Sequence, residues 1–150
     1  AKMTEALINH DKMSQKPLNS VLEIGTGCGY QSYILSLFSK KVVSLERIKP
    51  LQEKAKKTLE GLKVSNIVFN VDDGSSIKES KFDAILSAAA PLEVPIDLKE
   101  KLSVGGRMII PVGDNSKQVL TLVTRMSKKE FQETKVEDVL FVPLLKGVVS

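Results

Sequence analysis

Three acids and three alternating glycines carry the chemistry legible in this chain. Val21-Leu-Glu-Ile-Gly-Thr-Gly-Cys-Gly-Tyr30 runs from a short apolar stretch into Gly25, Gly27 and Gly29, and a helix-like segment follows. A strand that breaks into such a turn and then a helix leaves backbone N–H groups and a helix N-terminus beside whatever binds there. The spacing is not the Gly-x-Gly-x-x-Gly of a dinucleotide site, and no Lys-Ser/Thr follows as in a Walker-type phosphate loop. Glu23, two residues before the first glycine, would repel a polyphosphate. A ligand with a cationic amino-acid end fits better: the turn takes its carboxylate, and Glu23 faces its ammonium directly or through water. Glu46 ends a second apolar run, where an acid can accept both hydroxyls of a ribose. Asp73, followed by Gly74, ends a third, where a carboxylate can accept from an adenine amine. Each acid alone is an ordinary solvated strand end. Three at successive strand C-termini, where open α/β sheets bind ligands, make a cradle for an amino acid joined to a nucleoside.

That cradle requires strands ending at each acid, with helices between them. Residues 21–24, 42–45 and 67–71 are the first three expected strands, the second apolar enough to be buried on both faces of a parallel sheet. Ile34, Leu35, Leu37 and Phe38 mark a helix after the glycines. Pro50 can start the next, with Leu51, Ala55, Leu59 and Leu62 as its buried stripe and Lys54, Lys56 and Lys57 off it. Phe82-Asp-Ala-Ile-Leu86 is a fourth strand. A short helix over residues 97–102 precedes Gly105-Gly106 and a fifth strand through Met108, Ile109 and Ile110. Residues 119–123 and 136–142 read as strands joined only across Lys128-Lys129-Glu130, too short for a parallel crossover, so the pair is antiparallel. Five βα-like units and that pair predict an α/β fold: one domain, a mostly parallel, doubly wound sheet ending in an antiparallel strand pair. Upstream, Met3, Leu7 and Ile8 have helical spacing, and His10 reads as a partly exposed helix-end residue rather than a base.

Composition narrows the setting. Hydrophobic content of 42% with 27% charged residues is globular rather than disordered. No apolar run approaches a membrane span and no signal peptide opens the chain. Cys28 is the only cysteine, so neither an internal disulfide nor a cysteine-built zinc site is expected, and cytoplasm is the default. The net charge of +4 comes from lysines scattered in ones and twos, and only two tyrosines and no tryptophan are present. Neither a nucleic-acid stripe nor a base-stacking platform is expected.

Glu-x-Gly-x-Gly-x-Gly, at residues 23–29, resembles the first motif of S-adenosylmethionine-dependent methyltransferases of the Rossmann-like class I. Enzymes of that kind that methylate base amines carry Asp/Asn-Pro-Pro-Tyr/Phe after the fourth strand, whereas this chain has Ser87-Ala-Ala-Ala-Pro91. No histidine follows to serve as a base for a hydroxyl. A carboxylate acceptor fits that lack, being already an anion at neutral pH and able to attack the methyl in line. Catalysis would then be positioning and desolvation in a small-residue pocket such as residues 88–90. The alternative is a tight turn merely packed by alanines.

The motif at residues 21–31, Ser44-Leu-Glu-Arg-Ile48, Asp73-Gly74, Phe82-Asp-Ala-Ile85 with Ala89-Ala90-Pro91, Gly105-Gly-Arg-Met-Ile-Ile-Pro-Val-Gly113 and Phe141-Val-Pro-Leu144 occur in that order. Together they resemble the protein-L-isoaspartate (D-aspartate) O-methyltransferase family over essentially the whole chain. The resemblance implies methyl transfer from S-adenosyl-L-methionine, without a metal, to the α-carboxylate of isoaspartyl residues in damaged proteins. S-adenosyl-L-homocysteine leaves as product, and the ester closes to a succinimide. It assigns Gly25, Gly27 and Gly29 to the cofactor's methionine end, with Glu23 nearby, Glu46 to its ribose and Asp73-Gly74 to its adenine. Ala89, Ala90, Pro91, Val142, Pro143 and Leu144 would border the substrate peptide. The family's last strands are reordered relative to other methyltransferases.

The departures matter too. The family's active-site Ser/Thr, in a Ser-Gln-Pro-like stretch, and a lid over the cofactor are expected upstream of Ala1, so no catalytic residue is assigned within these 150 residues. The chain opens within a helix without an initiator methionine, as an N-terminally shortened member would. Ser75 and Ala88 stand where many members have an aromatic residue and a threonine, and Cys28 replaces a commoner serine. Two alternatives follow: another carboxyl or small-molecule O-methyltransferase, or a cofactor-binding fragment without turnover.

Overall fold

A computed structural model describes residues 2–8, 17–75, 77, 78 and 81–150; His10 lies outside them. Five strands run parallel: β1 (Leu18–Ile24), β2 (Ser39–Glu46), β3 (Ile67–Val71), β4 (Phe82–Ser87) and, after the two-residue β5 (Ala89–Ala90), β6 (Leu102–Gly113). β7 (Gln118–Arg125) and β8 (Phe131–Val139) add on antiparallel, each to the strand before it. The sheet order is β3-β2-β1-β4-β6-β7-β8, so the last strands lie in chain order. β5 pairs in parallel with β9 (Val142–Pro143) in a separate two-stranded sheet. The chain winds outward from β1 to β3, then returns to the other side of β1. The β1/β4 boundary is therefore the topological switch point, and β1 ends there in the glycine turn.

Strand alternation sends side chains to two cores. Leu22, Ile24, Val43, Leu45, Ile85, Met108 and Ile110 face α4 (Ile96–Glu100) through its Leu98. Val21, Val42, Ala84, Leu86 and Ile109 pack on the other face with Leu7 of α1 (Lys2–Ile8) and Leu35 of α2 (Tyr30–Phe38). The doubly wound architecture is thus as expected.

Several boundaries differ, for physical reasons. α3 (Lys49–Gly61) carries Pro50 in its first turn but buries Gln52, Ala55 and Leu59, leaving Leu51 and Leu62 42% and 58% exposed. Its rotation is set where Ala55 and Leu59 press on the side-chain-free Gly29. No helix lies between β3 and β4 among the described residues. β6 begins at Leu102, ahead of Gly105-Gly106, and its pairing with β4 shifts register between Phe82 and Ala84. A Cβ on Gly106 would sit 2.8 Å from the Ser103 carbonyl oxygen and 3.1 Å from those of Phe82 and Asp83, so that shift requires glycine. β8 extends back to Phe131 through the polar Gln132-Glu133-Thr134-Lys135, charge suited to an exposed edge but invisible to an apolar pattern. Val142, expected at the end of that strand, belongs to β9 instead.

Candidate functional site

The turn after β1 is possible only because its glycines have no Cβ: Gly25, Gly27 and Gly29 have φ of +92°, +53° and +89°. It is tied down from β2. The N–H groups of Gly25 and Thr26 donate to the Leu45 carbonyl at 2.8 and 3.1 Å, and that of Gly29 to the Thr26 carbonyl at 2.9 Å. Glu46 braces the same turn. Its Oε2 accepts from the Gly27 N–H and its Oε1 from the Ile48 N–H, both at 3.0 Å. The Gly25, Thr26, Gly27 and Gly29 amides therefore already have acceptors inside the protein, and the Gly27 amide reaches Glu46 directly.

Glu23 lies behind the turn and is fully buried. Its Oε1 accepts from the Ser32 hydroxyl of α2 and from the Ser44 hydroxyl of β2 at 2.6 Å, and Ser44 is in turn 2.6 Å from the Thr26 hydroxyl. Its Oε2 has no partner among the described residues. Burial pushes the Glu23 carboxyl up to about 7; the two serine hydrogen bonds oppose this, and the charge of Glu46 adds to it. A buried carboxylate with an unpaired oxygen suits a cationic group arriving from the turn side, although Glu23 lines neither cleft described next.

Asp73 is held differently. Its Oδ1 accepts from the Ser75 N–H at 2.9 Å and its Oδ2 from the Gly147 N–H at 2.6 Å. Hydrogen bonds from the Ser75 side chain, then from the Gly147 and Ser75 amides, hold its carboxyl down at about 2. Asp72 Oδ1 accepts from the Gly74 N–H at 2.6 Å, so two successive aspartates shape the bend after β3.

A cavity of about 350 Å³ opens between these elements, lined among others by Gly25, Glu46, Asp73, Ala89, Val142 and Leu144. Ala89 pairs with Val142 and Ala90 with Pro143, and the Leu144 N–H donates to the Ala90 carbonyl at 2.8 Å. Two stretches more than fifty residues apart thus form one wall. Pro143 also faces the cavity, whereas Ala90 is buried beneath it. Gly74 and Pro91 line a wider adjoining cleft of about 940 Å³, which shares Ile24, Asp73, Leu144 and Leu145 with the first. Gly27 and Gly29 shape the turn without lining either. At the switch point a Cβ on Gly25 would come within 3.3 Å of the Ala88 Cβ, which explains small residues on both sides of the crevice.

Sequence reasoning missed Arg47 and Ile48, which line the cavity, and the segment that returns to them. The Arg47 Nε donates to the Gly147 carbonyl at 3.0 Å, and Val149 pairs with Ile48. Lys146-Gly-Val-Val149 carries no pattern that would have revealed this. Among the described residues no group of three or more His, Cys, Asp or Glu side chains is placed to hold a metal, and no helix is long and apolar enough to cross a membrane.

Residues 1–149 match the model of the protein-L-isoaspartate (D-aspartate) O-methyltransferase family. A protein-L-isoaspartate O-methyltransferase of Janthinobacterium sp. (strain Marseille) is 47% identical over 152 aligned positions, which take in 100% of this chain and 51% of the relative. The chain spans about half the length of the curated relatives it matches. Among solved structures, a Plasmodium falciparum protein assigned as a protein-L-isoaspartate O-methyltransferase, in complex with S-adenosyl-L-homocysteine, superimposes with a TM-score of 0.77 at 27% identity, over 87% of this chain and 67% of that one. A second solved protein-L-isoaspartate O-methyltransferase gives a TM-score of 0.78 at 28% identity, over 89% and 44%.

Proposed function

Because this chain belongs to the protein-L-isoaspartate (D-aspartate) O-methyltransferase family, we propose that it forms the cofactor-binding part of an enzyme methylating the α-carboxylate of L-isoaspartyl and D-aspartyl residues in damaged proteins. The observation that carries this reading is the shared cavity: Gly25, Glu46 and Asp73 line it together with Ala89, Val142, Pro143 and Leu144. Three of the seven residues assigned to the cofactor and four of the six assigned to the peptide thus line one crevice, at the sheet's switch point.

S-adenosyl-L-methionine, when bound, supplies an electrophilic methyl on its sulfonium. The chain's own groups bind and orient it. Each Glu46 oxygen accepts one backbone N–H and keeps a lone pair for a ribose hydroxyl. Asp73, ionised far below neutral pH, keeps the same capacity for an adenine amine. Glu23 lies behind the turn, and an ammonium arriving there would draw its carboxyl, raised to about 7 by burial, into the ionised form. The acceptor carboxylate is ionised at neutral pH and needs no base. The apolar wall of Ala89, Val142, Pro143 and Leu144 strips it of water and directs it, while no serine or threonine among the described residues lines that cavity.

With no serine or threonine among the described residues lining that cavity, these 150 residues are expected to bind the cofactor and transfer little methyl. The single thiol suits a cytosolic place of action. Transfer of labelled methyl to an isoaspartyl peptide, with its aspartyl twin as control, tests the reading, alongside calorimetric binding of S-adenosyl-L-methionine. Cofactor binding with slow labelling confined to the isoaspartyl peptide is the expected result. Equal labelling of both peptides would overturn the substrate assignment, and brisk isoaspartyl-specific turnover would overturn the expectation of slow transfer.

A further inference from the structure

We propose that residues 146–149 form a strap that retains the cofactor, an inference that rests on the cofactor site proposed above. Its path is set by hydrogen bonds on both sides of β1. Beyond β4, the Leu144 N–H donates to the Ala90 carbonyl at 2.8 Å. Leu144 and Leu145 then line the cavity. Past them, the Gly147 N–H donates to Asp73 Oδ2 at 2.6 Å and the Gly147 carbonyl accepts from Arg47 Nε at 3.0 Å. The Val149 N–H donates to the Arg47 carbonyl at 2.7 Å, and the Val149 carbonyl accepts from the Lys49 N–H at 2.8 Å.

In the order β3-β2-β1-β4, these anchors lie at the ends of β3 and β2 on one side and beyond β4 on the other. The segment joining them therefore passes over the end of β1, across the crevice at the switch point. It connects the wall assigned to the peptide with the bend that carries Glu46. Its outer side is open, Val148 and Val149 being 53% and 43% exposed. Backbone hydrogen bonds near solvent, with little buried apolar surface, are the features of a segment that opens locally while the sheet stays folded. A ligand lying along Gly25, Glu46 and Asp73 is enclosed when the strap is down and leaves when it lifts. The strap thus sets the residence time, and Gly147 is its latch, with a φ of +87° that proline cannot adopt and an N–H that proline lacks.

Binding of S-adenosyl-L-homocysteine is followed by stopped flow in the full 150-residue chain, in a chain ending at Leu145 and in Gly147→Pro, with melting curves to confirm folding. The dissociation rate is expected to rise at least about tenfold in both variants, with the association rate little changed. If the truncated chain does not fold, Gly147→Pro alone decides. Folded variants with an unchanged dissociation rate, or a change confined to association, would overturn the strap while leaving the cofactor site standing. Failure of the unaltered chain to bind would instead remove the cofactor site, and the strap with it.

Discussion

Neutralising Glu23 should remove a pH-dependent contribution to stability. The side chain is buried under the glycine turn, two serine hydroxyls share one of its oxygens, and the other has no partner among the described residues. Its carboxyl is raised from 4.5 to about 7. The folded state therefore holds a proton between those values that the unfolded chain has released, and unfolding free energy falls as pH rises through that window. The stabilisation is complete below about 4.5 and lost above about 7. At about 1.4 kcal/mol for each pH unit between the two values, the loss is about 3–4 kcal/mol. Glu23→Gln keeps an acceptor for Ser32 and Ser44 but cannot ionise. Its amide takes the unpartnered position, at a cost of about 1–3 kcal/mol whatever the pH. Urea unfolding from pH 5 to 9 should show the parent chain losing about 3 kcal/mol relative to Glu23→Gln. The variant is the less stable protein at the acid end and draws level with or passes the parent at the alkaline end. Parallel curves would refute the reasoning, as would a carbon-13 titration of the Glu23 carboxyl with its midpoint below 5.

Four further substitutions separate binding at the site from the packing that supports it. Glu46→Ala should weaken S-adenosyl-L-methionine binding by about 1–3 kcal/mol in calorimetry; an unchanged affinity would limit Glu46 to bracing the Gly27 and Ile48 amides. Gly29→Ala should cost more stability than Gly27→Ala. Both impose a positive φ, worth about 1 kcal/mol, but only at Gly29 does the new methyl meet Ala55 and Leu59 at 3.2 Å; equal melting temperatures would contradict the packing of α3 on the turn. Gly106→Ala should cost about 1–3 kcal/mol by forcing β4 and β6 apart, with cofactor affinity unaltered in the fraction that folds.

The strand ends were legible because the chemistry and the local pattern coincide there. An apolar run that stops at Glu46, or at Asp73-Gly74, reports both the strand and the side chain at its carboxyl end. The alternating glycines of residues 25–29 were equally plain, since only glycine meets their positive φ. Polar or mixed pieces were harder to see. The first half of β8 is charged because it forms an edge, and β6 passes through two glycines because its backbone crowds β4. The stripe on α3 was misread by its ends, since burial there depends on what the helix rests against.

By itself, the sequence determined the order of strands and helices, the glycine turn and the three acids, because each follows from neighbours a few residues apart. Tertiary structure decided where those acids point. Glu23 and Glu46 both serve the turn, Glu23 from behind through two serines and Glu46 through its amides, whereas Asp73 holds a glycine 74 residues further along the chain. It also decided that Ala89-Ala90 and Val142-Pro143 form one wall and that Gly147 and Val149 return to the ends of β3 and β2. Such contacts join backbone groups, which every residue possesses, so no side-chain pattern announces them.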